Sequence, residues 1–325
     1  MNARRLQNSA PVTRQSGVAL ITAVLIVALA TILATKIGFD SALEQRRSAG
    51  VLLVDQAFQV ALGAEAWASS YLIEDAKDNG NEDHLAERWA TPIPPIPIDG
   101  GHIEGQVEDL TGRFNLNNLV MPTSQGGVRN PEGMRVFQNL LTLLELEPKW
   151  AEVLADYIDE DNNPTPSGGE DSIYLSQAPP YRTPNAPITS VSELLALPEF
   201  GLERYQRLRP YVAALPVGTA INLCTASGIV LDAISEEQQF SIDPQGLAKQ
   251  REQGCHPKVQ VFTSTLSAPI QQATQQYNTL TEKTSYFQLR AFVTIGTAEY
   301  SLYSLLYREP GQAQIRPLMR NFGAD

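Results

Sequence analysis

An uncharged apolar segment near the N-terminus constrains the fold of this chain more than any other feature. Residues 18–35 contain no charged side chain, and the residues before them carry three arginines and no acid. A helix of this length spans about 27 Å, close to the hydrocarbon thickness of a bilayer. Because positive charge stays on the cytoplasmic side, we expect a membrane anchor with its N-terminus in the cytoplasm and the bulk of the chain across the membrane.

A cleaved secretory signal and a buried core helix are the alternatives to a retained anchor. The apolar core of a signal is typically about 7–15 residues long and is followed by a small-residue cleavage site. The present segment is longer, and no A-x-A-type site precedes the polar chain. A core helix would not need cationic residues on one side only. The sequence therefore favours a retained anchor.

The junction in front of this segment resembles the processing site of type IV prepilins and type II secretion pseudopilins. Ser16-Gly17 is followed directly by Val18-Ala19-Leu20-Ile21. The resemblance implies that residues 1–17 are a leader, which prepilin peptidase removes between Gly17 and Val18 before it methylates the new amine. It also implies a single-pass protein of the inner membrane, with its bulk in the periplasm. Apolar residues continue at roughly helical spacing, which predicts one transmembrane and stem helix over 18–75.

Thr22 occupies the fifth position after the expected cleavage site, where pilins and pseudopilins usually carry a glutamate. An ionised carboxylate inside a bilayer costs on the order of 2.5–3.5 kcal/mol, so it is retained only where it gains a partner. In the family that partner is the N-terminal amine of the subunit ahead in the fibre. A subunit with nothing ahead of it gains nothing from the carboxylate. Threonine at this position therefore indicates a tip subunit. The alternative is that the threonine occurs there by chance and says nothing about the place of the subunit in the fibre.

A short stretch after the N-terminal helix narrows the resemblance. Residues 92–97 (PIPPIP) would end any helix, and residues 102–110 and 114–119 have the composition of short strands. The sequence EDLTGRFNLN, at 108–117, resembles the first sheet elements of the K-type minor pseudopilins of type II secretion. We therefore assign residues 76–120 to a linker and the first strands of a pilin-like domain.

The remaining pattern predicts a helical block inside a sheet domain. Residues 121–216 have helical apolar spacing broken by prolines, and residues 217–325 return to β-branched and aromatic character. The pattern therefore indicates the α+β class, with a helical block that interrupts a sheet domain. The resemblance to K-type pseudopilins implies a pilin-like fold with a long N-terminal helix and an antiparallel sheet, interrupted by a large inserted α-helical domain. This resemblance extends to the RNFG sequence near the C-terminus. The predicted helices are 137–146, 150–158, 191–197 and 202–212, and the predicted strands are 259–265, 286–295 and 300–307, the last two joined by Gly296-Thr297.

The acidic composition restricts the partners of this protein. The formal net charge is −12, and loss of the leader arginines would make it more negative. Such a surface repels nucleic acid and anionic lipid, so neither is an expected partner. The same surface is suited to binding a hard cation.

Cys224 and Cys255 are the only cysteines in the chain. In an exported protein they face an oxidising compartment and are expected to pair. Closing a loop of about 30 residues would stabilise the fold by roughly 3–4 kcal/mol in the chain-entropy model. Two buried thiols are the alternative, whereas a metal or redox pair is disfavoured because a C-x-x-C spacing is absent.

The segment 157–174 (YIDEDNNPTPSGGEDSIY) is the one constellation with metal chemistry. Its oxygen-bearing residues recur at positions one, three, five and twelve of an EF-hand-like calcium loop, with a backbone carbonyl at seven and a water at nine. Alternating positions in a tight loop can converge on one ion. The residues in these positions are Asp159, Asp161, Asn163, Thr165 through its carbonyl, Ser167 through a water, and Glu170.

The match to an EF-hand fails at two points. Pro164 stands at position six in place of glycine, and no clear helix follows Glu170 in the sequence pattern. We therefore expect an acidic loop that folds around one calcium ion, and the K-type resemblance also implies calcium in the α-domain. Asp171 could share a second ion with Glu170, and Asp156 is either an extra ligand or part of a solvated helix face. An exposed acidic turn without metal is the alternative.

A second motif, at residues 190–204, resembles a helix-hairpin-helix unit. The hairpin reads PEFGLER, and residues 222–226 resemble an element found beside such hairpins. In nucleic-acid binders the hairpin amides approach a phosphate beside basic residues. Here Arg204, Arg207 and Arg209 stand on a strongly acidic protein, so a packing unit inside the helical domain is the better interpretation.

The sequence contains no catalytic constellation. His84, His102 and His256 lie far apart, with no nucleophile or metal spacing around them, and each is interpreted as a surface or strand residue. Nucleophile-elbow, zincin and phosphate-loop motifs are absent. We therefore expect a structural protein and not an enzyme.

The resemblance implies a minor pseudopilin at the tip of the type II secretion pseudopilus. Such a protein would assemble with I-type and J-type minor pseudopilins, initiate assembly, limit fibre length by blocking further subunits, and contact secreted cargo or the secretin. Other pseudopilins and prepilin peptidase are the remaining expected partners. Two alternatives are a minor pilin of a type IV pilus and a membrane-anchored periplasmic enzyme or binding protein.

Overall fold

The computed structural model of this protein describes residues 16–78, 82–123, 126–310 and 314–322. The chain forms two compact units, one ending at Gln56 and the other beginning at Ala57. Most of the expected leader and the last residue of the RNFG sequence lie outside the described residues.

The described helices and strands are as follows. The helices are α1 (Ser16–Asp78), α2 (Pro131–Leu143), α3 (Trp150–Ile158), α4 (Asp171–Tyr174), α5 (Gly201–Leu208), α6 (Gly228–Ser235), α7 (Pro244–Arg251), α8 (Val259–Thr265) and α9 (Ala268–Gln276). The strands are β1 (Ile93–Ile98), β2 (Gly101–Asp109), β3 (Phe114–Asn115), β4 (Val120–Thr123), β5 (Gly126–Arg129), β6 (Val212–Ala213), β7 (Ile221–Asn222), β8 (Leu280–Thr281), β9 (Tyr286–Ile295), β10 (Ala298–Arg308) and β11 (Ile315–Phe322). Short 3-10 helices occur at Arg88–Ala90, Leu116–Leu119, Val191–Ala196 and Arg209–Tyr211.

The helix predicted over 18–75 is present as α1 and is slightly longer at both ends. Among the described residues it is the one helix long and apolar enough to cross a membrane. Within the second unit one face of the helix is buried, because Ala57, Ala61, Ala68 and Leu72 follow each other at helical spacing. The N-terminal part therefore fits a single-pass anchor, and the C-terminal part packs as an ordinary amphipathic helix.

Five antiparallel strands form the sheet of the second unit, in the order β1-β2-β9-β10-β11. The predicted hairpin is confirmed: β9 and β10 pair across the turn at Gly296-Thr297, with Gly296 at φ +57°, a value typical of tight hairpin turns. The second hairpin strand begins at Ala298, earlier than predicted. The sheet packs on α1, where Phe58 meets Tyr300 edge-on at 5.8 Å between ring centroids.

The PIPPIP segment contributes a strand to the sheet. Most of it lies in β1, an edge strand that pairs with β2 through an irregular register between Ile93 and Ile96. Proline lacks the N–H that an inner strand must donate, but it is compatible with an edge. Prolines in a sequence indicate a helix end, and the edge strand becomes evident only from the sheet beside it.

Helices α2 and α3 carry the core of the helical block. Phe114 stacks on Phe137 with ring centroids 5.3 Å apart, and Trp150 meets Phe200 edge-on at 5.1 Å. The predicted helix over 150–158 matches α3 at both ends. The predicted helix over 137–146 corresponds to α2, which begins and ends earlier. It begins at Pro131 because the Asn130 side chain accepts a hydrogen bond from the N–H of Glu132 and caps the helix at its start.

The hairpin-like motif packs inside this block, as predicted. Its first helix is a 3-10 helix that begins with a capping box of Ser190 and Glu193, and its second is α5. Apolar side chains of both helices belong to the same core as α2 and α3. Arg204 and Arg207 pair with Glu147 and Glu145 at 2.9 and 3.0 Å, so acids of the same protein engage these two arginines.

The strand predicted over 259–265 is wrong, because this segment is helix α8. Its β-branched residues favour a strand locally, but packing decides the outcome. Phe262 is buried in the helical core, and the hydroxyls of Thr263 and Thr265 donate to carbonyls of Val259 and Phe262 at 2.8 and 2.7 Å. Helices α6, α7 and α9 were not indicated by the sequence, and they add Val230, Leu247 and Ile270 to the same core.

A buried polar network joins the sheet to the helical block at Asp109, the last residue of β2. Its Oδ1 accepts from the N–H and hydroxyl of Thr111 at 2.7 and 2.6 Å. Its Oδ2 accepts from the hydroxyls of Thr225 and Thr284 at 2.5 and 2.6 Å and from the amide of Asn222 at 3.0 Å. Burial raises the pKa of Asp109, and these donors oppose the rise. The EDLTG stretch and the 222–226 element therefore meet at one carboxylate.

Replacing Asp109 by alanine is expected to lower the free energy of unfolding by about 3 kcal/mol, because several buried donors lose their acceptor at once. Urea unfolding of the detergent-solubilised protein, followed by circular dichroism, measures the loss. Asp99→Ala, which removes an exposed carboxylate beyond β1, is the matched control and should change stability by less than about 0.5 kcal/mol. Equal stabilities of the two variants would contradict the role of the network.

Candidate metal site

The acidic loop begins where α3 ends and runs to the one-turn helix α4. Asp159 follows α3 in an extended conformation, and the chain has no regular secondary structure until Asp171. A helix therefore does follow Glu170, contrary to the expectation from the sequence. It has four residues, too few for apolar periodicity to indicate it.

Three carboxylates converge in this loop. Asp159, Asp161 and Glu170 each offer an oxygen atom within 4.8 Å of the other two. Asp159 and Glu170 are only 2% and 5% exposed, whereas Asp161 is exposed. Oδ1 of Asp159 and both carboxylate oxygens of Glu170 are buried, and no described donor reaches them. Buried acceptors without donors are costly, and a hard cation is the ligand that such oxygens prefer.

The crowding of negative charge changes the acidity of the loop. Burial, followed by the neighbouring Asp161 and Asp156, raises the pKa of Asp159 to about 6 against the opposing effect of Arg129. Burial, followed by Asp159 and Asp156, raises the pKa of Glu170 to about 7. A bound divalent cation would favour the ionised forms and reverse both shifts.

Asp156 lies beneath the loop and is fully buried, so its interpretation as part of a solvated helix face is wrong. Its Oδ1 accepts from Nη2 of Arg129 at 2.7 Å, and its Oδ2 accepts from the N–H and hydroxyl of Thr165 at 2.7 and 3.0 Å. A Cβ at Gly168 would collide with the same carboxylate. Arg129, which the sequence did not indicate, also lies 3.8 Å from Asp159 and balances part of the negative charge.

The other residues of the predicted ligand set have contacts of their own. The N–H of Asn163 donates to Oδ1 of Asp161 at 2.7 Å, and the carbonyl of Thr165 accepts from Gly168 at 3.3 Å. The N–H of Ser167 donates to Oε2 of Glu152 at 3.1 Å. Asp171 accepts from the N–H and hydroxyl of Thr183, both at 3.2 Å, and lies 3.4 Å from Arg182.

The two remaining predicted sites lie outside the loop. Gly17 and Val18 are at the start of α1, where Val18 is exposed. Cys224 and Cys255 are both buried, with Cα atoms 4.6 Å apart and sulfur atoms at bonding distance. That Cα separation lies within the range of disulfides.

Comparison with known proteins identifies the chain's relatives. The family model described as "Type II secretion system (T2SS), protein K" matches residues 112–217. Type II secretion system protein K of Pseudomonas aeruginosa is 36% identical over 324 residues, covering 95% of this chain and 93% of that protein. The protein of the same name from Aeromonas hydrophila is 30% identical over 326 residues, covering 96% and 98%.

A solved structure has the same fold. One chain in the crystal structure of the GspK-GspI-GspJ complex from the enterotoxigenic Escherichia coli type 2 secretion system matches with a TM-score of 0.75 and 27% identity. The match covers 86% of this chain and all of the other. The predicted α+β fold class is thereby confirmed. Because the sequence similarity extends over nearly the full length of both relatives, this chain belongs to the type II secretion system protein K family.

Proposed function

We propose that this protein is the minor pseudopilin at the tip of the type II secretion pseudopilus. It is held in the inner membrane by the N-terminal part of α1, with its second unit in the periplasm. There it initiates assembly, caps the fibre and limits its length during export of folded periplasmic proteins. Family membership, the apolar helix and the arginines before it support this proposal.

The proposed partners follow from the family. The related crystal structure contains GspK together with GspI and GspJ. By analogy, this chain assembles with I-type and J-type minor pseudopilins and joins other pseudopilins through α1. Prepilin peptidase processes it, and the helical block offers surface for secreted cargo or the secretin.

The proposed position at the tip of the fibre rests on the side chain of Thr22. Its hydroxyl donates to the carbonyls of Val18 and Ala19 in its own helix at 3.1 and 3.0 Å. The side chain is therefore satisfied without any neighbouring subunit. A glutamate at this position would need a partner to offset an insertion cost on the order of 2.5–3.5 kcal/mol.

Deleting the gene is expected to abolish release of the secreted proteins, and the wild-type gene should restore it. Thr22→Ser, which keeps a hydroxyl for the same carbonyls, should restore secretion fully. Thr22→Glu gives the chain the carboxylate of a fibre-body subunit and should restore secretion several-fold less well. Exoprotein release, measured in culture supernatants, separates these outcomes. Normal secretion without the gene, together with loss of twitching or transformation, would instead support a minor pilin of a type IV pilus.

Mature protein from cells with active prepilin peptidase is expected to begin at an N-methylated Val18. Intact-mass spectrometry measures this terminus directly. Retention of residues 1–17 would favour a membrane-anchored periplasmic enzyme or binding protein.

The two cysteines are expected to resist alkylation in the absence of a reductant, because we propose that Cys224 and Cys255 form a disulfide. The proposal is supported by the position of the two sulfur atoms. Alkylation of the same sample followed by mass spectrometry tests it, and two modified thiols would contradict it.

We also propose that the acidic loop binds one calcium ion through Asp159, Asp161 and Glu170. The proposal is supported by the convergence of three carboxylates and by the buried oxygens that lack donors. An all-oxygen ligand set of this charge suits calcium, and Asn163 and the carbonyl of Thr165 are proposed to complete it. The ion would tie the end of α3 to the start of α4. A second ion shared by Glu170 and Asp171 is the extension of this proposal.

Adding calcium to the EDTA-treated full-length protein in detergent is expected to raise its melting temperature. At a free calcium concentration of about 100 times Kd, binding contributes about 2.7 kcal/mol to stability. Glu170→Gln should remove most of this effect, because the substitution deletes a buried charged ligand. Glu160→Gln, at an exposed acid of the same loop, is the matched control and should leave the effect intact. An unchanged melting temperature of the wild type would rule out the site, and calorimetric stoichiometry counts the ions.

A further inference from the structure

A second acidic cluster lies where α1 ends, remote in sequence from the loop described above. Asp75, in the last turn of α1, and Asp83 and Glu87, in the connection to β1, each offer an oxygen within 4.8 Å of the others. Arg308 of β10 lies among them: its Nη2 donates to Asp83, and its Nη1 is 3.7 Å from Oδ2 of Asp75. All four side chains are at most 11% exposed. We call these four residues the latch cluster.

Hydrogen bonds are distributed unequally within the latch cluster. Asp83 also accepts from the N–H of Thr284 at 2.7 Å. Oε2 of Glu87 accepts from Nε1 of Trp89 at 2.6 Å and from the N–H of His84 at 3.1 Å. Oε1 of Glu87 is buried with no described donor, and Asp75 reaches Arg308 only at a long distance. The latch cluster therefore contains one carboxylate, Glu87, with an acceptor that lacks a described donor, and another, Asp75, that lacks a short ion pair.

The charges of the latch cluster do not balance. Three carboxylates face one guanidinium, and the remaining base is His84, whose Nε2 lies 3.9 Å from Oε1 of Glu87. Burial lowers the pKa of His84, so this imidazole does not supply a second positive charge at neutral pH. Outside the cluster, Glu82 lies 3.9 Å from His84 and pairs with Lys258, so that lysine is already engaged.

A proton fits the latch cluster better than a metal ion does. Nη1 of Arg308 is also buried without a described acceptor, and a cation placed between the acids would be repelled by this guanidinium. A proton on Asp75 removes one negative charge and adds a donor to a group of carboxylates whose oxygens lie within 4.8 Å of one another. In agreement with this, burial, followed by Glu87 and Asp83, raises the pKa of Asp75 to about 7. Burial likewise raises the pKa of Glu87, against its hydrogen bonds from Trp89 and His84.

We propose that Asp75 and Glu87 share one proton at neutral pH, and that this proton forms a pH-sensitive latch holding the last turn of α1 onto β10 and the connection to β1. A docked Asp75 binds its proton up to a pH of about 7, whereas a detached and solvated Asp75 loses it near 3.8. The docked state therefore holds more protons between these values, so docking weakens as the pH rises through this range. Docking of this turn is therefore stronger in mild acid than at neutral pH, and it changes little above about pH 7.

Hydrogen exchange on the full-length protein, in detergent and saturated with calcium, tests the latch. After correction for intrinsic exchange rates, protection of the amides of residues 72–78 should fall about 30-fold between about pH 5.5 and pH 8.5, because one proton is lost over about 1.5 pH units below pH 7. Asp75→Asn cannot ionise and should show nearly constant protection over this range. Asp78→Asn, at an exposed acid in the same turn, is the matched control and should behave as the wild type.

Constant protection in the wild type, or an undiminished fall in Asp75→Asn, would overturn the proposal. If Asp75→Asn does not fold, Glu87→Gln provides the second variant, and it should also reduce the dependence on pH. Calcium should not change the protection of these amides in the Glu170→Gln protein. If calcium raised their protection at every pH, the cluster would bind a metal ion, and the latch would be overturned. This proposal does not depend on the position of the protein in the fibre.

Discussion

The structure depends on the burial of carboxylate groups at the junctions between its elements. Asp109 is the central instance, because its two oxygens accept hydrogen bonds from the turn after β2, from the segment before α6 and from the connection between β8 and β9. A buried carboxylate that lost these donors would cost several kcal/mol, so the segments that supply them must assemble together. The stretch that most resembles the K-type family therefore acts as a joint between sheet and helical block.

Three of the buried acidic centres described in the second unit are compensated in three different ways. Neutral hydroxyl and amide donors surround Asp109. At the end of α1, Arg308 offsets part of the charge, and a proton is proposed to offset the rest. In the loop after α3, Arg129 donates a hydrogen bond to Asp156, whereas Asp159 and Glu170 have buried oxygens that no described donor reaches. The groups that offset the buried charge thus differ between the three sites. They distinguish a structural joint, a proposed pH-sensitive latch and a proposed calcium site, although all three consist of carboxylates.

Long and strongly patterned elements were predictable from the sequence, and short ones were not. The helix α1, the helix α3 and the β9–β10 hairpin follow from apolar spacing and turn chemistry that act over many residues. The segment 259–265 has strand-forming residues, yet burying Phe262 in the helical core requires a helix. The prolines of edge strand β1 indicate the end of a helix in the sequence and do not predict a strand. In the candidate site, spacing indicated the acids, but Arg129 belongs to a distant strand that no local pattern connects to the loop.

The sequence by itself indicated the apolar N-terminal helix, the proposed processing junction, the family resemblance and the acidic loop, because each rests on residues that are adjacent or regularly spaced along the chain. The tertiary structure alone decided which acids lose their water and which donors reach them. Asp156 was interpreted from sequence as a ligand or a solvated residue and proves to be fully buried, and Asp75 and Glu87 carried no signal at all. Burial and long-range pairing set the charge state of a carboxylate, and both arise only when segments far apart in sequence are packed together.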